Sequence, residues 1–366
     1  MAHDDPALQT LLLPFEQGLL PWPADGGALL LRAREGAALH RRDWPGLVCE
    51  QSFRPDAEAL TRAGLALVEQ SDDCRYPLVL VLPPRQRDEA RALYARAVSL
   101  VAPGGRVVAC LANNEGAKSG EADLRQLVGP VGSLVKNKSR ACWSAPLHVD
   151  GGATLDADLL ARWLALDAPR SIADGRFTSR PGVFAWDRVD PASALLAEQL
   201  PPDLAGRAAD LGAGFGYLSV ELLERCPGIT TLDLYEAERR ALDLARGNLA
   251  PFESRAAIGY HWHDVTAGLP AQYDVIVTNP PFHTQMRADR PDIGRRFIAV
   301  AAQALKPGGR LWLVANRHLP YESVLTGSFG EVRAVAERDG FKIIEAVKAR
   351  PAPPTRPDRR GRKDWR

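Results

Sequence analysis

The chain has 366 residues, 46% apolar and 25% charged, with a formal net charge of +1. That is enough chain for two domains with full cores, in the composition of a soluble globular protein. A near-neutral balance excludes steering by a global field, so any affinity for nucleic acid has to come from local patches. Cys49, Cys74, Cys110, Cys142 and Cys226 are odd in number and scattered. They suit a reducing compartment and fit neither a disulfide framework nor a zinc cluster. Asp4 and Asp5 stand where a signal peptide would be basic, and no apolar run is long enough to span a bilayer. A cytoplasmic monomer without metal or membrane attachment is expected.

Residues up to about 75 mix short apolar runs, such as 28–31, with an amphipathic helix predicted over 56–70. Residues 76–84 then read as a strand ending in Pro83-Pro84, followed by a helix over 86–101, a Pro-Gly-Gly turn and a strand over 106–111. The same order returns later. A strand from Asp274 ends in Pro280-Pro281, a helix covers 292–305, Pro307-Gly308-Gly309 turns, and a strand covers 310–315. A repeat of that kind implies two copies of one α/β domain. The copies differ where chemistry would sit. The segment from double proline to Pro-Gly-Gly is longer in the second copy, around residues 283–293, and Leu82 stands in the first copy where Asn279 stands in the second. The first copy therefore reads as inactive.

Between the copies, 156–166 reads as a helix leading out of the first domain, and 167–181 is irregular. Asp190-Pro191 then opens a helix as cap and first helical residue. The strand 207–211 runs into Gly212-Ala213-Gly214-Phe215-Gly216 and a helix over 217–225. A dinucleotide loop needs its third glycine at the sixth position, which here is Tyr217, and Asp210 would repel a pyrophosphate. A carboxylate there suits instead a cofactor whose end carries an ammonium group, such as the methionine part of S-adenosylmethionine. A P-loop is excluded because Gly-Lys-Ser/Thr is missing. The next strand, 229–235, ends in Glu236, an acid placed for a ribose diol. Glu238, the competing acid, lies in the following helix, where a first-turn acid is an ordinary feature. A strand over 257–262 leads to Asp264, which either accepts from an adenine amino group or is a plain turn acid.

Asn279-Pro280-Pro281-Phe282 sits on a stiff loop at a strand's carboxyl end, where open parallel sheets bind ligands. The Asn279 amide oxygen and the Pro280 carbonyl can accept both hydrogens of an exocyclic amine while Phe282 stacks on its ring. Taken together, these motifs resemble the class I S-adenosylmethionine-dependent methyltransferases that act on exocyclic amines. With His283, the Pro181-Gly182-Val183-Phe184 lead-in and the duplicated first half, the chain is most similar to the bacterial ribosomal RNA guanine-N2 methyltransferases of the RsmC/RlmG type. The similarity covers almost the whole chain, weakest over 1–75 and absent in the tail. Glu236 is a mild departure, since many relatives carry aspartate.

The resemblance implies two tandem Rossmann-like methyltransferase domains, each a mostly parallel seven-stranded sheet with helices on both faces. The implied strand order is 3-2-1-4-5-7-6 with an antiparallel last pair. A degenerate N-terminal domain is expected over 1–166, a linker over 167–185, a catalytic domain over 186–348 and a basic, proline-rich, disordered tail over 349–366. It also implies cofactor contacts from Asp210, Gly212, Ala213, Gly214, Gly216, Glu236, Asp264, Val265 and Asn279. Catalytic roles fall to Asn279, Pro280, Pro281 and Phe282. Substrate contacts fall to Phe184, Phe282, His283 and Arg287, and the partner is ribosomal RNA or a ribosomal subunit. RNA contacts are expected from Lys136, Lys138 and Arg140, from Arg287, Arg290, Arg295 and Arg296 beside the substrate loop, and from the tail; solvated charged faces are the alternative. Rival activities are methylation of adenine N6 or of a protein glutamine amide. From another class, a non-catalytic RNA-binding or assembly factor is the rival.

Overall fold

In the computed structural model, which describes residues 5–24, 27–70, 73–149, 155–281, 291–318 and 321–350, two seven-stranded sheets follow one plan. The first contains β1 (Ala28–Leu31), β2 (Leu47–Glu50), β3 (Ala66–Val68), β4 (Tyr76–Val81), β5 (Val101–Ala112), β6 (Val131–Lys136) and β7 (Ser139–Ser144), ordered β3-β2-β1-β4-β5-β7-β6. A hairpin, β8 (Arg170–Ile172) with β9 (Phe177–Ser179), separates it from the second sheet. That sheet contains β10 (Ala205–Leu211), β11 (Gly228–Glu236), β12 (Ala257–Trp262), β13 (Tyr273–Thr278), β14 (Leu305–Asn316), β15 (Glu331–Arg338) and β16 (Phe341–Val347). Its order, β12-β11-β10-β13-β14-β16-β15, is that of the first sheet, and in both the pairs made by the last two strands are antiparallel. The strand order expected from the resemblance is therefore the one observed, twice.

The helices are α1 (Pro6–Glu16), α2 (Arg54–Arg62), α3 (Arg87–Ser99), α4 (Ala117–Val128), α5 (Ala157–Leu164), α6 (Pro191–Gln199), α7 (Tyr217–Arg225), α8 (Arg239–Leu249), α9 (Pro291–Ala304) and α10 (Glu322–Ser328). Each central strand buries side chains on both faces, so each half has two apolar clusters, one per face. That is why these strands read as continuous apolar runs. Two expectations need correction. The helix predicted over 56–70 stops at Arg62, because Gly64 takes a left-handed φ of +77°, and the remainder forms β3. The Pro-Gly-Gly segments do not end a helix-to-strand turn; they are excursions inside β5 and β14. Tyr76 pairs with Val101 and Leu78 with Arg106, just as Tyr273 pairs with Leu305 and Val275 with Arg310.

The halves meet through equivalent loops. Phe53, after β2, bridges Glu238, after β11; the Arg54 amide donates to the Ala237 carbonyl (2.8 Å) and the Arg239 amide to the Ser52 carbonyl (3.0 Å). Trp262 Nε1 donates to the carbonyls of both Ser52 and Ala237, each at 2.8 Å. This is a two-fold, self-complementary pairing inside one chain. Beside it, Arg240 joins Glu89 of α3 (2.5 Å), Asp167 (2.6 Å) and the Pro181 carbonyl (2.8 Å), while Arg32 reaches Glu89 at 2.9 Å. Gly182, at φ +87°, lies so near that a Cβ would fall 2.3 Å from the Glu89 carboxyl, so only glycine fits there. Removing one partner from a buried ion pair is costly because the other charge stays buried. Arg240→Met is expected to cost about 3 kcal/mol of stability, read as a lowered denaturant midpoint; an unchanged midpoint would show that the network carries no such weight.

Candidate active site

The site is built where β10 and β13 end side by side. Leu211 pairs with Thr278, and the Thr278 hydroxyl donates to the Leu211 carbonyl at 2.7 Å, so the glycine turn and Asn279 leave the sheet as neighbours. Gly212, Gly214 and Gly216 have φ of +73°, +56° and +89°, a conformation that L side chains rarely adopt. Their surroundings differ. A Cβ on Gly216 would strike Leu249 and Ala245 of α8, whereas a Cβ on Gly214 would meet nothing within 4 Å. Gly216 thus lets the turn pack closely on α8, and Gly214 leaves backbone open to a ligand. Gly212, Ala213, Gly214 and Asn279 line one open cleft together with Asp190 and Ser193 of the α6 start. Phe184 stands at its rim, 68% exposed.

Asn279 is half-buried and its side chain is held. Its Nδ2 donates to Asp190 Oδ2 (2.9 Å) and Ser193 Oγ (2.8 Å), and its amide oxygen has no hydrogen-bond partner among the described residues. Asp190 caps α6 as the sequence suggested, accepting from the Ser193 amide at 2.8 Å. Its contact with Asn279 was not legible, because a cap motif says nothing about what else the carboxylate touches. Pro280 is buried and Pro281 exposed. Phe282, His283, Arg287 and Arg290 lie outside the described residues, as does the tail from Pro351 on.

Asp210 is fully buried at the end of β10. Its Oδ2 accepts from the Ser219 hydroxyl at 2.8 Å, and its Oδ1 has no hydrogen-bond partner among the described residues. Burial pushes its pKa up to about 7, with the nearby Glu236 charge adding and the Ser219 bond opposing. A buried, unsatisfied carboxylate oxygen has unused capacity for a donor. An amino-acid ammonium would supply one, and with the open backbone at Gly214 these residues fit S-adenosylmethionine. Glu236 turns back on its own loops, accepting from the Gly214 amide (2.7 Å) and the Glu238 amide (2.8 Å); burial raises its pKa against those bonds. Asp264 uses Oδ1 to cap the turn at Thr266, accepting from its amide (2.8 Å) and hydroxyl (2.7 Å), the turn-acid arrangement. Val265 is buried in the core under α9. Glu238 caps α8, as a helix-start acid. Among the described residues there is no group of three or more side chains able to hold a metal ion, and no helix long and apolar enough to cross a membrane. Of the expected basic contacts, Arg140 is tied to Glu121 (2.7 Å), while Lys136 and Lys138 are exposed on the β6–β7 turn and Arg295 and Arg296 on α9.

The sheet order, its antiparallel last pair and the glycine turn beside a double-proline loop define the class, that of the S-adenosylmethionine-dependent methyltransferases. Residues 174–345 match the methyltransferase small domain family. A ribosomal RNA small subunit methyltransferase C from Shewanella amazonensis is 30% identical over 75% of this chain and 78% of its own length. One from Alcanivorax borkumensis is 38% identical over 48% of this chain and 53% of its own. Among solved structures, the T. thermophilus 16S rRNA N2 G1207 methyltransferase (RsmC), in complex with AdoMet and guanosine, superposes with a TM-score of 0.74 at 25% identity, over 95% of this chain and 93% of its own. The chain belongs to the ribosomal RNA small subunit methyltransferase C family.

Because the Asp210 pKa is raised from 3.8 to about 7, the protonated acid favours the folded state. Its contribution is complete below the unfolded pKa and is lost as pH rises through about 7. Thermal denaturation of the ligand-free protein is expected to show stability declining across that window, and Asp210→Asn should flatten the decline. Parallel profiles for the two proteins would disprove the assignment.

Proposed function

We propose that this chain transfers a methyl group from S-adenosylmethionine to the exocyclic N2 amine of a guanine in small-subunit ribosomal RNA. The observation that carries the reading is the register of β10 against β13, which puts the glycine turn and the Asn279 side chain on one cleft. The family relationship supports ribosomal RNA as substrate, and the T. thermophilus relative, described with AdoMet and guanosine, supports guanine and its N2. Residues 186–348 form the catalytic half, and residues 1–166 carry no cofactor site.

S-adenosylmethionine, when bound, supplies a methyl on a sulfonium whose leaving group departs neutral. The protein has little acid–base work to do. Orienting the reactants accounts for about 7–11 kcal/mol of a barrier in favourable cases. Asp210 and the Gly212–Gly216 turn hold the amino-acid end, while Glu236 and Asp264 serve the adenosine end. Engaging the ribose diol requires Glu236 to give up its bond to the Gly214 amide or to share that oxygen. Asn279 Oδ1 and the Pro280 carbonyl accept from the target amine. That draws its lone pair out of conjugation with the ring and spreads the positive charge that grows on nitrogen as the new N–C bond forms. The amine proton then leaves to solvent. Phe282 supplies the stacking face and Phe184 the second apolar contact at the rim. The base reaches this pocket only after leaving its stack. His283 and Arg287 contact the RNA, and no histidine acts as base.

Asn279→Ala is expected to lower transfer by at least two orders of magnitude while leaving S-adenosylmethionine affinity within a few-fold. Transfer is read by mass spectrometry of small-subunit RNA for one N2-methylguanosine, and affinity by calorimetry. Turnover close to that of the parent would refute the mechanism, and methyl found on adenine or on protein would refute the substrate.

A further inference from the structure

We infer that Asp190 and Ser193 are positioning residues for the reaction: they orient the Asn279 amide so that its oxygen, and not its nitrogen, faces the target amine. The inference rests on the proposed role of Asn279. An asparagine amide presents two donors on one side and an acceptor on the other, and a half-turn about its last bond exchanges them. Turned the wrong way, Asn279 would aim N–H groups at the amine it is meant to accept from. Asp190 Oδ2 can only accept when ionised, and it takes Asn279 Nδ2 at 2.9 Å; Ser193 Oγ takes the same nitrogen at 2.8 Å. Both N–H groups are thereby engaged at the start of α6. The carboxylate makes the flipped amide unfavourable, since its oxygen would then face another oxygen.

The duplication supplies an internal control. Asp5-Pro6-Ala7-Leu8 opens α1 as Asp190-Pro191-Ala192-Ser193 opens α6, and Asp5 caps α1 by accepting from the amides of Ala7 and Leu8, both at 3.0 Å. Leu82 occupies the place of Asn279, one residue beyond the strand that pairs with β1, and Leu8 occupies the place of Ser193. Both leucines are buried in one apolar cluster. Where the asparagine is missing, its serine partner is missing too, although the helix cap is intact. Capping α6 therefore does not require a serine at this position; holding Asn279 does. Asp5 in that copy has no asparagine to hold, and its carboxylate pairs instead with Arg34 at 2.8 Å.

Four variants test this, with cofactor affinity and denaturation measured beside turnover on small-subunit RNA. Ser193→Ala keeps the Asp190 cap and is expected to lower kcat about three- to tenfold, the loss of one neutral hydrogen bond, with the S-adenosylmethionine Kd and the folding midpoint unchanged. Ser193→Thr restores the hydroxyl and should recover kcat. Asn279→Asp should be far slower, because two carboxylates then meet and one must hold a proton. Adding Asp190→Asn puts a donor opposite the new acceptor and should recover at least tenfold of that loss. A parental kcat in Ser193→Ala, or no recovery in the double variant, overturns the inference. If Asn279→Ala itself remains active, the proposed mechanism has failed instead, and the two failures cannot be confused.

Discussion

The pairing of β10 with β13 is the constraint on which the rest of the molecule depends. Both strands are short, and both ends of the pair are pinned by side chains. At the entry, Asp274 accepts from the Arg207 amide at 2.9 Å and holds Lys306; at the exit, the Thr278 hydroxyl holds the Leu211 carbonyl. A slip of one residue would turn every side chain of β13 to the opposite face and move Asn279 away from the glycine turn. The apolar residues of β13 fill both sheet faces, so burial alone would tolerate such a slip better than in a half-exposed strand. The polar ties at the two ends supply the specificity that burial does not.

The first half shows the same strand order with different residues at the equivalent positions. Arg32 follows β1 where Gly212 follows β10, and it still takes a left-handed φ of +54° although it is not glycine. The Ala33 amide reaches the carbonyl of Glu50 as the Ala213 amide reaches that of Tyr235. The turn after the strand is kept although its glycine is not. Arg32 now belongs to the ion network with Glu89, Arg240 and Asp167 that joins the halves. This edge of the first sheet thus serves as an interface, and its loop after β2 grips the loop after β11, immediately beyond Glu236. Arg54 and Arg239 both lie over the Trp262 ring, at 4.8 and 5.6 Å, so the end of β12 is held from both halves. The first half therefore braces the loop that follows Glu236 and the end of β12.

Two carboxylates in this region do different work because their surroundings differ. Asp190 sits at a helix start with amide donors to meet its charge. Asp210 is sealed in the sheet with one hydroxyl, so it is held neutral more readily and has capacity left for a cation. Sequence spacing ranks neither above the other.

The strand order within each sheet came from the family resemblance; the sequence by itself determined the repeat of strand, double proline, helix and Pro-Gly-Gly, the glycine turn and the Asn279-Pro280-Pro281 loop. These are written in local chemistry: apolar runs, prolines that stop strands, and glycines that take left-handed φ. It also set Leu82 before the double proline of the first half where Asn279 stands in the second. Only the tertiary structure decided which residues hold Asn279, because Asp190 and Ser193 stand more than eighty residues away in the chain and look like any helix start. It likewise decided that Asp264 caps its own turn, that Glu236 folds onto Gly214, and that α2 gives way to β3. Each of those outcomes depends on which partner lies within hydrogen-bonding distance in space, and a linear pattern does not encode that.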